Sequence, residues 1–191
     1  MEKFFEWEYR FMMFLQNSIR GPLQNKVMWC ITSLENAGFL SIAACLALLL
    51  QPKWRRVGEA ATVSMILEFL VVNLLLKNWV ARVRPYHLLE DLILLVQEPA
   101  DYSFPSGHTA ASFAAVAALY FAGAKKWWKI TLPLAILMAF SRMYLYVHYP
   151  TDVLGGMIVG CAAGYFGNRL AAHLIRSWRQ KMKKPEDRKN R

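Results

Sequence analysis

The chain has 191 residues, 56% of them apolar and 14% aromatic, and a formal net charge of +10. That apolar share lies above the roughly 45–50% of ordinary soluble domains, and one domain's length without an internal repeat or Gly/Ser-rich linker argues against a water-soluble, multidomain protein. The charge total excludes little by itself, because the placement of basic residues is what separates a nucleic-acid surface from a membrane protein.

Residues 1–20 come first, where "EKFFEWEYRFMMFLQNSIR" interleaves aromatic and aliphatic side chains with Glu2, Lys3, Glu6, Glu8 and Arg10. This pattern predicts an amphipathic helix lying in the membrane interface, with a sixth span supported by its neighbours as the alternative. The acidic start lacks the basic n-region of a cleavable signal peptide. Five apolar stretches follow, near 27–50, 57–77, 107–123, 130–148 and 152–174, each approaching the about 20 residues that a spanning helix needs. The expected fold is all-α, a polytopic membrane helix bundle forming a single domain over residues 1–191. Cys30, Cys45 and Cys161 fall inside apolar stretches and read as small buried hydrophobes, not as a disulfide framework.

The basic residues are segregated. "PKWRR" at 52–56 joins the first two stretches, "KKWWK" at 125–129 joins the third and fourth, and "RSWRQKMKKPEDRKNR" forms a basic tail over 176–191. With five spans these segments share one side, which the positive-inside rule makes cytoplasmic, and the interleaved Trp residues suit an interfacial belt. A nucleic-acid partner is therefore not expected. The bilayer is, and anionic headgroups near the tail suit its charge.

The opposite, extracytoplasmic face collects three other clusters: "LLLKNWVARVRPYH" at 74–87, "FPSGHTAAS" at 104–112 and "SRMYLYVHYPTD" at 141–152. Each has a bland reading. Lys77, Arg82 and Arg84 suit snorkelling cations, Ser106 a helix N-cap, and Asp152 an acid in a helix's first turn after Pro150. Convergence changes the balance, because cations and a helix N-terminus together make an anion receptor, and guanidinium groups grip phosphate in bidentate fashion. Two imidazoles add a nucleophile and an acid, and a carboxylate four residues after a histidine can orient its ring.

Three motifs carry a resemblance. Lys77 is followed seven residues on by Arg84-Pro85, Pro105-Ser106-Gly107-His108 comes next, and Ser141-Arg142 precedes His148 and Asp152. In these residues, over roughly 60–165, the chain resembles the type 2 phosphatidic acid phosphatase family. The resemblance implies His148 as the nucleophile that forms a phosphohistidine, Asp152 as its orienting partner, and His108 as general acid and then base. It also implies a phosphate cradle of Lys77, Arg84, Arg142, Ser106 and Gly107. Arg82 lies outside the pattern.

The expected function is a metal-independent, cofactor-free integral membrane lipid phosphatase whose substrate is a lipid phosphate or diphosphate. A polyprenyl (undecaprenyl) diphosphate comes first, and phosphatidate or phosphatidylglycerol phosphate second. Lipid phosphotransfer would use the same intermediate. A transporter using Glu35 and Glu68 is the non-enzyme alternative, but polar residues gathered at one face do not make a pathway. A metal site from His108, His148 and Asp152 would have to overcome the surrounding cations. Glu68 is expected to make an interhelical hydrogen bond, and Glu35 with Asn36, Ala37 and Gly38 to pack helices closely. Residues 86–104, with "LLEDLILLV" inside them, read as a loop bearing a short amphipathic helix that roofs the site.

Overall fold

A computed structural model of the protein describes residues 2–35, 38–88 and 93–189. Among these residues there is no strand, and eight α-helices follow one another: α1 (Glu2–Phe14), α2 (Pro22–Ser33), α3 (Phe39–Leu50), α4 (Arg55–Phe69), α5 (Lys77–Val80), α6 (Gly107–Phe121), α7 (Lys125–Tyr144) and α8 (Pro150–Lys189). Wider π-helical turns extend α1 through Leu15–Ile19 and join α4 to α5 through Leu70–Leu76.

The centre of the bundle is α6 packed against α8, with α4 and α7 beside them, α3 on α4, and α2 on α7. Small residues make the central approach close. On α8, Gly156, Gly160 and Gly164 recur every four residues, which puts them on one face, and α6 answers with buried Ala110, Ala114, Ala117 and Ala118. A Cβ on Gly156 would come within 2.6 Å of the Ser106 carbonyl oxygen, and one on Gly160 would collide with the Ala110 carbonyl. The helices therefore touch backbone to backbone, as small residues permit in membranes. Gly160→Val is expected to destabilise the detergent-solubilised protein by about 3 kcal/mol through overpacking, read as a lowered melting temperature. An unchanged melting temperature would show that this contact does not hold the bundle.

Large apolar side chains face outward from successive helices: Phe39, Ile42 and Leu46 on α3, Ile66 and Phe69 on α4, Ile130 and Leu134 on α7, Ile158 and Phe166 on α8. So much exposed hydrocarbon suits a lipid surrounding, not water. Among the described residues one stretch, Arg55–His87, is long and apolar enough by length and composition to cross a membrane, and α3 and α6 are shorter apolar helices.

The expected stretch 27–50 is not one helix. α2 ends at Ser33, and α3 begins after Gly38, whose φ of 71° lies in the left-handed region that ends a helix. Asn36 and Ala37, part of the expected packing patch, lie outside the described residues. The basic tail continues the last helix: α8 remains helical through Lys189, so its 40 residues extend about 60 Å at 1.5 Å per residue. Cys30 and Cys161 are exposed on outward faces and Cys45 is partly covered, which corrects the reading of all three as buried.

The two basic junctions meet at the end of the bundle away from the three motif clusters. Trp54 and Trp128 pack with Val57, Leu119 and Ala124 there, and the Trp54 and Trp127 rings meet edge to face at 6.4 Å.

Candidate active site

Four chain segments bring the motif residues to one place. α5 starts at Lys77 and the chain leaves it at Ala81, which has a left-handed φ of 47°. A left-handed alanine costs about 1–2 kcal/mol, and it turns Arg82 and Arg84 back over the end of the bundle. The second such residue, Tyr146 with φ 62°, lies in the turn between α7 and α8 that carries His148. Among the described residues, both non-glycine residues with positive φ thus flank the site, where strained backbone tends to gather.

Lys77, Arg84, Gly107, His108, Arg142 and His148 line one cavity of about 690 Å³. The His108 and His148 rings are presented by separate elements, the first turn of α6 and the loop before α8. Lys77, Arg84, Arg142 and His148 are buried in the protein, and His108 is half-buried. No described residue bonds the buried His108 Nε2 or Arg142 Nε. Arg142 donates through Nη1 to Thr32 of α2. At Gly107 a Cβ would lie 3.5 Å from Lys77 Nζ, so the missing side chain leaves the space beside that ammonium open.

Arg84 also braces the protein around the cavity. Its Nε donates to the Asp101 carbonyl at 2.8 Å and its Nη1 to the Val147 carbonyl at 2.8 Å, while Nη1 also lies 3.2 Å from His148 Nε2. It therefore ties the loop before α6 to the turn before His148. The Asp101 side chain bridges the two cations, one carboxylate oxygen to Lys77 and the other to Arg84. Burial would raise this carboxyl, but the hydrogen bonds and charges of Lys77 and Arg84 outweigh that and hold it below its ordinary value. The bridge is complete above the ordinary carboxylate range and is lost as pH falls through the lowered value.

Ser106 and Asp152 stand behind the cavity, fully buried and absent from its lining. Ser106 N–H donates to the Asp152 carbonyl at 3.0 Å, and Ser106 Oγ accepts from Thr109 at 2.9 Å. Asp152 Oδ2 accepts the Tyr149 N–H at 2.8 Å and the Ser103 hydroxyl. It also faces His148 Nδ1 at 3.7 Å, longer than a formed hydrogen bond, as resting sites often are. Nδ1 of His148 thus points to the carboxylate and Nε2 into the cavity.

The three motifs do not reveal Asp101, Ser103, Thr32 and Glu8, and they leave Arg82 open. Arg82 turns to the protein: Nη1 donates to Asp152 Oδ1 at 2.7 Å and Nη2 to Glu8 Oε2 at 2.6 Å. The signal for Glu8 lies in its spacing. With Met12 and Leu15 it forms an i, i+4, i+7 stripe, and all three are buried.

Glu35 and Glu68 line the same cavity, toward its apolar end beside Ile42 and Ile66. No described residue bonds Glu68 Oε1, so the expected interhelical bond is not made by that oxygen. The expected roofing helix, in the apolar run 88–96, falls largely on residues 89–92, which lie outside the described residues. Before them the chain after Arg84 holds a 3₁₀ turn, Pro85–Leu88, and after them residues 93–104 are not helical. Polar anchors hold this loop, with Tyr86 Oη donating to the Pro99 carbonyl at 3.0 Å and Arg20 Nη2 to that of Ile93 at 3.0 Å.

A family model described as the PAP2 superfamily matches residues 57–176, a range that holds all three motif clusters. The chain is 31% identical over 113 residues to an undecaprenyl-diphosphatase of Sulfolobus acidocaldarius, a match covering 59% of this chain and 54% of that protein. It thus spans about half the length of that relative. It is 35% identical over 155 residues to phosphatidylglycerophosphatase B of Bacillus subtilis, covering 74% of this chain and 72% of the relative. Among solved structures it is similar to a transmembrane PAP2-type phosphatidylglycerolphosphate phosphatase from Bacillus subtilis, with a TM-score of 0.74 and 26% identity, covering 91% of this chain and 88% of that one.

Proposed function

Because the chain belongs to the PAP2 superfamily, we propose that it is an integral membrane lipid phosphatase working through a phosphohistidine. The observation that carries this reading is one cavity lined by His108, His148, Lys77, Arg84 and Arg142, with Asp152 facing His148 Nδ1 at 3.7 Å. In the first step His148 Nε2 attacks phosphorus, the bond from phosphorus to the lipid oxygen breaks, and His108 gives that oxygen its proton. Asp152 holds the Nδ1 proton of the ring and offsets the positive charge that develops there. In the second step water attacks the phosphohistidine, His108 takes the water's proton, and phosphate leaves. Lys77, Arg84, Arg142 and the N–H groups at the start of α6 would neutralise the phosphoryl oxygens. Their density of positive charge is also what supports chemistry without a metal ion.

A polyprenyl diphosphate is the first substrate, consistent with the similarity to an undecaprenyl-diphosphatase. A glycerophospholipid phosphate is the second, favoured by the longer match to a phosphatidylglycerophosphatase. The test is phosphate release by purified protein from a panel of both lipid classes. Release that persists with a chelator and stops with vanadate is expected; loss in the chelator would overturn the metal-free reading, and no release from any lipid the phosphatase reading itself.

Five spans with an interfacial α1 would put the basic junctions in the cytoplasm and the cavity outside. In support, both junctions lie at the end of the bundle opposite the motif residues, as the positive-inside rule requires of a cytoplasmic end. In intact cells lacking Cys30, Cys45 and Cys161, an impermeant thiol reagent should label Gln97→Cys and spare Lys189→Cys. The reverse pattern would turn the site toward an inner-leaflet phospholipid.

A further inference from the structure

We propose that Glu8 and Arg82 are positioning residues for this reaction, holding Asp152 and through it His148, so that the N-terminal helix forms part of the active site. The inference rests on the phosphatase reading for its chemistry and on separate contacts for its geometry. Arg82 spreads its guanidinium across the turn and α1: Nη1 donates to Asp152 Oδ1 and to Thr151 Oγ1, each at 2.7 Å, and Nη2 donates to Glu8 Oε2 at 2.6 Å. The flat face of the same group lies 3.8 Å from the centre of the Tyr149 ring. Glu8 reaches the same turn from the other direction, its Oε1 accepting the Thr151 N–H at 3.0 Å and the Thr151 hydroxyl. Tyr149, Thr151 and Asp152 are thereby fixed by one arginine and one glutamate from distant parts of the chain.

Two physical points separate this from an incidental ion pair. Glu8 and Asp152 are fully buried and Arg82 nearly so, with side-chain exposures of 0%, 0% and 16%. An apolar trio of similar volume would serve folding as well as buried charges do, so stability alone does not account for them. The second point is the division of labour on Asp152. Arg82 takes Oδ1, which leaves Oδ2 turned toward Ser103, the Tyr149 N–H and His148. Glu8 in turn balances the arginine's charge, so Arg82 can orient Asp152 without cancelling the negative charge that the His148 ring needs when it takes the phosphoryl group. Without Glu8 the Arg82 cation would lose one of the carboxylates paired with it, and more of its charge would bear on Asp152.

α1 is seated for this task by its own packing. Met12 lies in a cluster with Tyr86, Tyr144, Val147 and Tyr149, next to the His148 turn. Gln16 Nε2 donates to the Tyr144 carbonyl at 2.9 Å, at the end of α7.

The experiment compares wild type with Glu8→Gln, Glu8→Asp, Arg82→Lys and the Glu8→Gln/Arg82→Lys double variant. It measures kcat and KM for lipid phosphate, together with the rate at which diethyl pyrocarbonate modifies His148, mapped by mass spectrometry against the exposed His87. Glu8→Gln is expected to lower kcat about 100-fold, as an Å-scale misplacement of a reacting group does, with KM within about threefold. It should also slow His148 modification by about fivefold or more, since a ring that loses its Nδ1 partner presents Nε2 less well. Glu8→Asp should recover most of the loss, and the double variant should lose no more than the worse single one, because the two residues act as one unit. If Glu8→Gln does not fold, Arg82→Lys decides, for it keeps the charge and loses the fork. Unchanged kcat and unchanged His148 modification in the folded variants would overturn the proposal while leaving the phosphatase reading intact. If wild type released no phosphate from any lipid, that reading would fall, and slowed His148 modification in Glu8→Gln would still uphold the positioning role.

Discussion

His148→Ala is expected to lower phosphate release by about 10⁴-fold or more while leaving the protein folded and able to bind phosphate. The size follows from removing one member of a catalytic unit, after which only binding and charge stabilisation remain. That the fold should survive follows from the partners of Asp152. Its Oδ1 keeps Arg82 at 2.7 Å, and its Oδ2 keeps the Tyr149 N–H at 2.8 Å and the Ser103 hydroxyl. Loss of the imidazole thus leaves no unpaired buried charge, the condition that makes such substitutions unfold a protein. Arg84 likewise keeps the Val147 and Asp101 carbonyls, so the turn before α8 stays tied to the loop before α6. Phosphate binding at near wild-type affinity, with weakened vanadate inhibition and no acid-labile phosphoenzyme after a brief exposure to substrate, is the pattern that checks the assignment. Full phosphate release by the variant would place the nucleophile elsewhere.

How much of this site is legible in the amino-acid sequence depends on the range of the interactions that build it. Lys77, His108, Arg142, His148 and Asp152 are legible because each lies at the end of an apolar run, where topology alone brings ends together, and because Pro150 starts a helix that sets Asp152 in its first turn, close after His148. The residues that support them are not, since their partners are remote: Arg82 and Glu8 are 74 residues apart, and Arg142 and Thr32 are 110 apart. A carboxylate such as Glu8 also reads as ordinary on an amphipathic helix unless its place in the Met12–Leu15 stripe is weighed. The division between α2 and α3 turns on local backbone, where Gly38 takes a left-handed conformation that apolar composition cannot signal. Residues 93–104 are held by side-chain bonds to carbonyls whose partners, Arg20 and Tyr86, lie outside that segment, so its path is not written in its own composition. Asp101 is hidden for the related reason that its role emerges only when the loop is laid over Lys77 and Arg84.

His108→Ala is expected to separate the two halves of the reaction and, with them, the two substrate classes. His108 lines the cavity, and no described residue bonds its Nε2, so truncating it should disturb chemistry before structural integrity. A general acid contributes about 10²–10⁴-fold, and its share grows with the basicity of the oxygen that must leave. From a lipid monophosphate the leaving group is an alkoxide, which cannot depart unprotonated. From a polyprenyl diphosphate it is a lipid phosphate, far less basic and held by the same cations. His108→Ala should therefore cost about 10³-fold on lipid monophosphates and markedly less on diphosphates, with an activated aryl phosphate losing least in the first step. The second step behaves differently, because water must still lose a proton whatever group has left. With a good leaving group the variant should release one equivalent of aryl alcohol rapidly and then stall as the phosphohistidine, a burst that single-turnover kinetics can count. Equal losses on monophosphate, diphosphate and aryl phosphate, without a burst, would remove His108 from proton transfer and reduce it to part of the phosphate cradle beside Lys77 and Arg142.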